Sequence, residues 1–345
     1  MDTSSLINTA EYFGAANTSR GFENYFPNIF NPKKFDRIYI IKGGPGSGKS
    51  TIMKKIAKAA VQKGYEPILY RCSSDVQSLD GIIVENIGII DGTSPHICEA
   101  RYPGAVERII DTGRFFDCEK LKKHRAKIEE AVLQKENLYR IVCKYLSASG
   151  EIKKAIDMLL LSVIDYDKMR AAVKRIIKKS NFEKGVAQCL PIEAISGAGH
   201  IHLDSYKNGA KRIFYVYDKY QAGEQFIEAV KTEAEKNSLG FVYSPGLIGK
   251  ETREIKIGDT VFALTNDANA ANLINTERFI KKDELKKVRT KLRFLIKLCD
   301  SITKEACALL AEIKEIHLSL EKIYSSATDF ESQNLLCEEI CKEIF

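Results

Sequence analysis

The sequence predicts an α/β fold that occurs twice in one chain. Residues 43–50 read Gly-Gly-Pro-Gly-Ser-Gly-Lys-Ser and directly follow an apolar run, Ile38-Tyr39-Ile40-Ile41. The segment 111–128 recurs at 275–292 without a gap, at an offset of 164, with eight of eighteen positions identical. Arg37-Ile38-Tyr39-Ile40-Ile41 recurs as Arg212-Ile213-Phe214-Tyr215-Val216, at an offset of 175. The difference between the offsets is a net deletion of 11 residues in the second copy.

Each element of the first copy follows from its pattern. β-branched and aromatic residues at 38–41 read as a buried strand. Ile52, Ile56 and Ala59 then fall at helical spacing, with Lys54, Lys55 and Lys58 on the opposite face. Between them Gly43, Gly44, Pro45, Gly46, Ser47, Gly48, Lys49, Ser50 and Thr51 form G-x-x-x-x-G-K-[ST], the phosphate-binding loop, in the strand-to-helix setting its chemistry requires. Glycines let the backbone curl around a phosphate, and N–H groups and the helix N-terminus supply positive potential. Lys49 is expected on the β- and γ-phosphates of ATP and Ser50 on Mg²⁺, with Thr51 a second hydroxyl beside it.

Pro67–Cys72 reads as the next strand, residues 73–81 as a polar loop, and 82–84 and 87–90 as further apolar strands ending at Asp91-Gly92-Thr93. Alternating strands and helices predict a parallel sheet flanked by helices, whose ligands sit at the carboxyl ends of the strands. Asp75, Asp80 and Asp91 are candidates for that edge. Asp91, ending a hydrophobic strand, is the expected acid of the Mg²⁺ site with Ser50, and it joins Lys49 and Asp75 as the catalytic set. Asp75 would hold a substrate hydroxyl or cap a loop, and Glu85 would orient water. His96 follows a turn and reads more readily as structural. Arg71, Arg101, Arg114 and Arg125 are candidates for transition-state charge, but Arg114 recurs as Arg278 in the copy without a site, which argues for structure. The guanine-reading N-K-x-D is absent, leaving adenine as the default base.

At the offset of 175 the second copy places Asp218 at Gly43, Tyr220 at Pro45, Glu224 at Lys49 and Gln225 at Ser50, with Gly48 kept as Gly223. A carboxylate at the ammonium position repels a nucleotide, so this copy is expected to keep the fold without the site. The units are residues 1–188 and 189–345, joined near Cys189-Leu190-Pro191. Helical arms occupy about 118–180 and about 282–345. Leu121, Ile128, Val132, Ile141 and Tyr145, then Ile156, Leu160, Met169 and Val173, read as a helical hairpin broken at Ser147-Ala148-Ser149-Gly150. Lys174-Arg175, Lys178-Lys179, Lys286-Lys287 and Arg289 make the arms basic, a solvated face or a surface for RNA or an acidic protein.

Composition sets the class. In 345 residues, 44% are apolar and 29% charged, and the net charge is +7, as in an ordinary globular protein with a mild preference for anions. No apolar run is long enough to span a bilayer. Met1-Asp2-Thr3-Ser4-Ser5 lacks a secretory pattern, and the nine cysteines are scattered without a C-x-x-C pair. A cytoplasmic protein with reduced thiols is the expectation.

Asn17-Thr18-Ser19-Arg20-Gly21-Phe22, the loop at 42–51, Cys72-Ser73-Ser74-Asp75 with Ser78-Leu79-Asp80-Gly81, Asp91-Gly92-Thr93-Ser94-Pro95-His96 and Gly199-His200-Ile201-His202-Leu203-Asp204 together resemble a family of uncharacterised bacterial ATP-binding proteins, found mainly in Firmicutes, with two tandem P-loop domains. The resemblance covers nearly the whole chain and implies a cytoplasmic P-loop NTPase. Members commonly keep a usable second loop; Asp218 and Glu224 depart from that. The expectation is ATP hydrolysis at one Mg²⁺-dependent site in the N-terminal half. The alternatives are a small-molecule or nucleoside kinase using Asp75, or a non-catalytic ATP-dependent switch.

Overall fold

A computed structural model describes residues 9–345; the N-terminal pentapeptide read above for a secretory pattern lies outside them. The chain opens with β1 (Glu11–Phe13) and a hairpin of β2 (Ala15–Thr18) and β3 (Gly21–Asn24), closed by a short helix α1 (Phe26–Ile29). β4 (Arg37–Lys42) leads through the glycine-rich loop into α2 (Lys49–Gln62). β5 (Ile68–Arg71), β6 (Leu79–Val84), β7 (Ile87–Asp91) and β8 (Glu107–Asp111) complete a sheet ordered β1-β5-β6-β7-β4-β8.

The class is α/β, but the sheet is mixed rather than parallel. β6 runs antiparallel to both β5 and β7, whereas β1/β5, β7/β4 and β4/β8 are parallel pairs. The cause is local. Only Glu85 and Asn86 separate β6 from β7, and a two-residue connection can join only antiparallel neighbours. Glu85 takes φ 50 in that turn, at the edge opposite Asp91. It is therefore remote from the glycine-rich loop and cannot orient water there.

α3 (Cys118–Lys123), α4 (Arg125–Val163) and α5 (Tyr166–Lys179) follow. The helix does not break at 147–150. Gly150 is tolerated inside α4 because the β2–β3 turn packs on it: a Cβ there would lie 2.7 Å from that of Ser19. The bend comes instead at Ile164-Asp165, where Asp165 caps α5 through the Lys168 N–H.

The second half repeats this order. β9 (Ala187–Cys189), a hairpin of β10 (Glu193–Ser196) and β11 (Gly199–His202), β12 (Arg212–Tyr217), α6 (Ala222–Lys236), β13 (Phe241–Pro245), β14 (Thr252–Ile257) and β15 (Thr260–Thr265) precede the long α7 (Lys282–Ser326) and α8 (Phe330–Ile344). The sheet β12-β15-β14-β13-β9 has the order and the strand senses of β4-β7-β6-β5-β1. A single parallel bridge from Val216 to Ile274 stands where β8 flanks β4. The deletion falls largely after β7, where the connection 92–106 shrinks to 266–273.

The arms tie the halves together. α4 and α7 pack antiparallel: Val142 and Leu146 meet Ala306, Leu310 and Ile313, and Lys135 lies 2.9 Å from His317. The terminal helices then cross over. Met169, Val173 and Ile177 of α5 pack into the second half's core beside Phe226, Ile227 and Val230 of α6. Leu336, Cys337 and Ile340 of α8 join Ile52, Met53 and Ile56 of α2 in the first half's core. Each half thus covers its sheet with a helix contributed by the other. Among the described residues, no helix is long and apolar enough to cross a membrane.

Candidate functional site

The loop at 43–50 is held at both ends. Its floor is Thr112, fully buried, whose hydroxyl donates to the Lys42 carbonyl at 2.8 Å and lies 3.0 Å from Ser47 Oγ. Gly43 must be glycine for this contact, since a Cβ would lie 1.9 Å from Thr112 Oγ1. Thr276 makes the matching bond to the Tyr217 carbonyl, so this threonine explains part of the repeated 111–128 block. That repetition was the available signal for Thr112, which motif reading passes over.

Gly46 and Gly48 take positive φ, 65° and 78°, as the curl requires. Lys49 Nζ reaches across the loop to the Gly43 and Gly44 carbonyls, at 3.1 and 2.9 Å, and lies 3.7 Å from Asp91 Oδ2. Asp91 ends β7 beside β4, and its Oδ1 accepts from the Thr93 N–H at 2.9 Å. Lys49 and Asp91 are therefore brought together. Ser50 Oγ is close by in sequence and accepts from the Leu79 N–H at 2.9 Å, while Thr51 is exposed.

Asp75 is engaged by other partners. Burial alone would raise its carboxyl, but hydrogen bonds from Ser78 and from Lys314 of α7, at 2.8 and 3.1 Å, hold it below the ordinary value. Asp80 is buried and paired with His96 at 3.1 Å. His96 packs against Phe22 and Phe26, a structural position. Arg71 is paired with Glu11 and Arg125 with Glu129. Arg114 stacks over Phe115, and Arg278 stacks identically over Phe279, at 4.8 and 4.7 Å, which favours a structural role for both.

The C-terminal arm closes on the loop, a feature no motif signals. A Cβ at Gly46 would lie 2.5 Å from the Glu321 carbonyl, one at Gly44 3.1 Å from the Tyr324 ring, and one at Gly48 2.4 Å from Gln333 Oε1. Gln333 of α8 donates through Nε2 to the Ser47 carbonyl at 2.5 Å. Three of the loop glycines thus also admit the other half of the chain.

The second loop has a different solution. Buried Ile52, Met53, Ile56 and Ala60 of α2 match Phe226, Ile227, Val230 and Ala234 of α6, an offset of 174. In helical register Gly223 therefore occupies the place of Lys49 and Glu224 that of Ser50, one residue from the ungapped alignment. The Asp218 carboxylate accepts from the Gly223 and Glu224 N–H groups, at 2.8 and 3.2 Å. An internal carboxylate thus sits on the amides of the helix N-terminus. Burial, with Glu224 alongside, pushes Asp218 up to about 7.

Glu224 is itself paired with Arg253 and with Lys153 of α4, the latter at 3.1 Å. Lys153 also meets Asp157 and Glu251, and burial, which would lower its pKa, is outweighed by the three carboxylates. Nearby, Glu193 and Glu254 face His202 at 3.4 Å each, and hydrogen bonding to Glu193 and then Glu254 raises that imidazole to about 9.

Among the described residues, no cluster of three or more His, Cys, Asp or Glu side chains could hold a metal by itself. Ser50 and Asp91 offer a hydroxyl and a carboxylate, the hard oxygen donors that suit Mg²⁺ completed by phosphate and water. No family model, curated protein or solved structure matches the chain.

Proposed function

We propose that the protein is a duplicated P-loop NTPase that binds ATP with Mg²⁺ and hydrolyses it at one site, residues 43–51. The observation that carries this reading is the contrast between the halves. One loop pairs glycine turns at positive φ with Lys49 and Asp91, 3.7 Å apart. The other has filled its helix N-terminus with Asp218 and offers Glu224 and Gly223 where Ser50 and Lys49 stand.

In this reading the loop amides and Lys49 bind the β- and γ-phosphates and offset their charge. Ser50 and Asp91 would hold Mg²⁺, which supplies charge neutralisation of the phosphoryl oxygens when bound. Catalysis is mostly positioning and electrostatics, with Lys49 moving from the Gly43 and Gly44 carbonyls to the nucleotide. The decisive assay is phosphate release by wild type and Lys49→Ala with ATP and Mg²⁺. Turnover absent from the variant is expected; equal rates remove the reading.

The switch-like alternative has its own support. Glu321, Tyr324 and Gln333 lie against the loop glycines, so nucleotide at the loop would bear on α7 and α8. Nucleotide-dependent proteolysis of the arms with negligible phosphate release favours a switch over a hydrolase. The kinase alternative gains less, because Asp75 is already bonded by Lys314 and Ser78.

A further inference from the structure

A cavity of about 730 Å³ opens where the segment after β8 meets the α7–α8 turn. That volume is in the range of ligand clefts, and the cleft is open to solvent. Arg114, Phe115, Phe116 and Asp117 line it from the first half, and Ser332 and Leu335 from the second. Two residues of its wall, Phe116 and Ser332, are at or next to side chains that touch the loop. The Phe116 and Tyr324 rings lie 5.4 Å apart, both against Gly44, and Gln333, next to Ser332, bonds the Ser47 carbonyl.

We propose that this cavity is the purine subsite of the nucleotide, built half from each copy; the inference rests on nucleotide binding at residues 43–51. It lies past the carboxyl end of β8, next to the phosphate-loop strand β4, where a nucleoside leaving the loop would pass. Phe116, half-buried, supplies a ring for a base to stack on, whereas Phe115 packs in the core with Arg114 over its ring. Asp117 is half-exposed, accepts from the Lys120 N–H at 3.1 Å and lies 3.4 Å from the Lys120 ammonium, and its remaining lone pairs can accept from an exocyclic amino group.

The second half shows what closes such a cavity. Its equivalent junction has the same crossed bridges, Ile164 to Ile280 against Phe116 to Thr328. Lys168 stands three residues past its cap Asp165, as Ser332 stands three past Asp329. Lys168 reaches over to donate to the Arg278 carbonyl at 2.8 Å. Serine at the matching position leaves the space open in the half that keeps its phosphate loop.

The chain has no tryptophan, so Leu335→Trp places its one tryptophan, excited selectively over the tyrosines, on the cavity wall at a position 62% exposed. MgATP should quench it saturably, and magnesium tripolyphosphate should bind by calorimetry without quenching. Ser332→Lys, copying the second half, should weaken MgATP about tenfold, the loss of stacking and one hydrogen bond, and leave tripolyphosphate unchanged. MgATP binding unaltered by Ser332→Lys, or binding to Leu335→Trp without quenching, overturns the subsite. Should Ser332→Lys lose both ligands it has misfolded, and the tryptophan result decides alone. If wild type binds neither ligand, phosphate recognition itself fails and the subsite falls with it.

Discussion

Lys153 is the place where one half's arm is most firmly committed to the other half. It is 4% exposed, on α4, with its ammonium 3.1 Å from Glu224 and 3.5 Å from Glu251 of the second half. Lys153→Met keeps the aliphatic stem and deletes the charge. Asp157 and Glu251 then lose their ion pairs, while Glu224 keeps Arg253, which it shares with Glu193. Removing one partner from a buried ionic network costs about 3–5 kcal/mol, because the remaining charges are left desolvated. At about 2–4 °C per kcal/mol for units of this size, the unfolding midpoint should fall roughly 6–20 °C. Circular dichroism melts at pH 7.5 measure it. Glu251→Gln on the Lys153→Met background should recover part of the loss, since it removes a carboxylate whose ion pair was to Lys153. A midpoint within about 2 °C of wild type would show that the network does not fasten the halves together.

Two further outcomes follow. His202 is held near 9 when folded against about 6.5 when unfolded, so its contribution is complete below pH 6.5 and is lost as pH rises to 9. Discounted for the partly exposed ring, that is about 1–2 kcal/mol, visible as a falling melting temperature across that window and absent in His202→Gln. Ile340 is buried among α2 and β4 residues, so Ile340→Ala should cost about 2–5 kcal/mol in urea unfolding although it lies in the last helix of the other half; a loss below about 0.5 kcal/mol would contradict the crossover.

The α/β class was legible because its signals are local. Strand, glycine curl and amphipathic helix occupy contiguous residues from 37 to 62, and the repeat is recorded position by position. What escaped was relational. Apolar runs at 82–84 and 87–90 gave two strands, but strand sense depended on the two residues between them. The stripes on α5 and α8 gave apolar faces, yet periodicity does not record whose sheet a face will cover. Gly150 looked like a helix break because the reason for a small residue, Ser19 pressing on α4, lies 131 positions away. The second loop's charge inversion was visible, but an ungapped alignment placed Glu224 one residue off. The register of buried side chains on α6 corrected it.

Calorimetric titration of MgATP into the wild-type chain tests the central claim most directly. One site per chain, abolished by Lys49→Ala and untouched by Asp218→Asn, is the predicted result. No heat of binding, or two sites per chain, would contradict it.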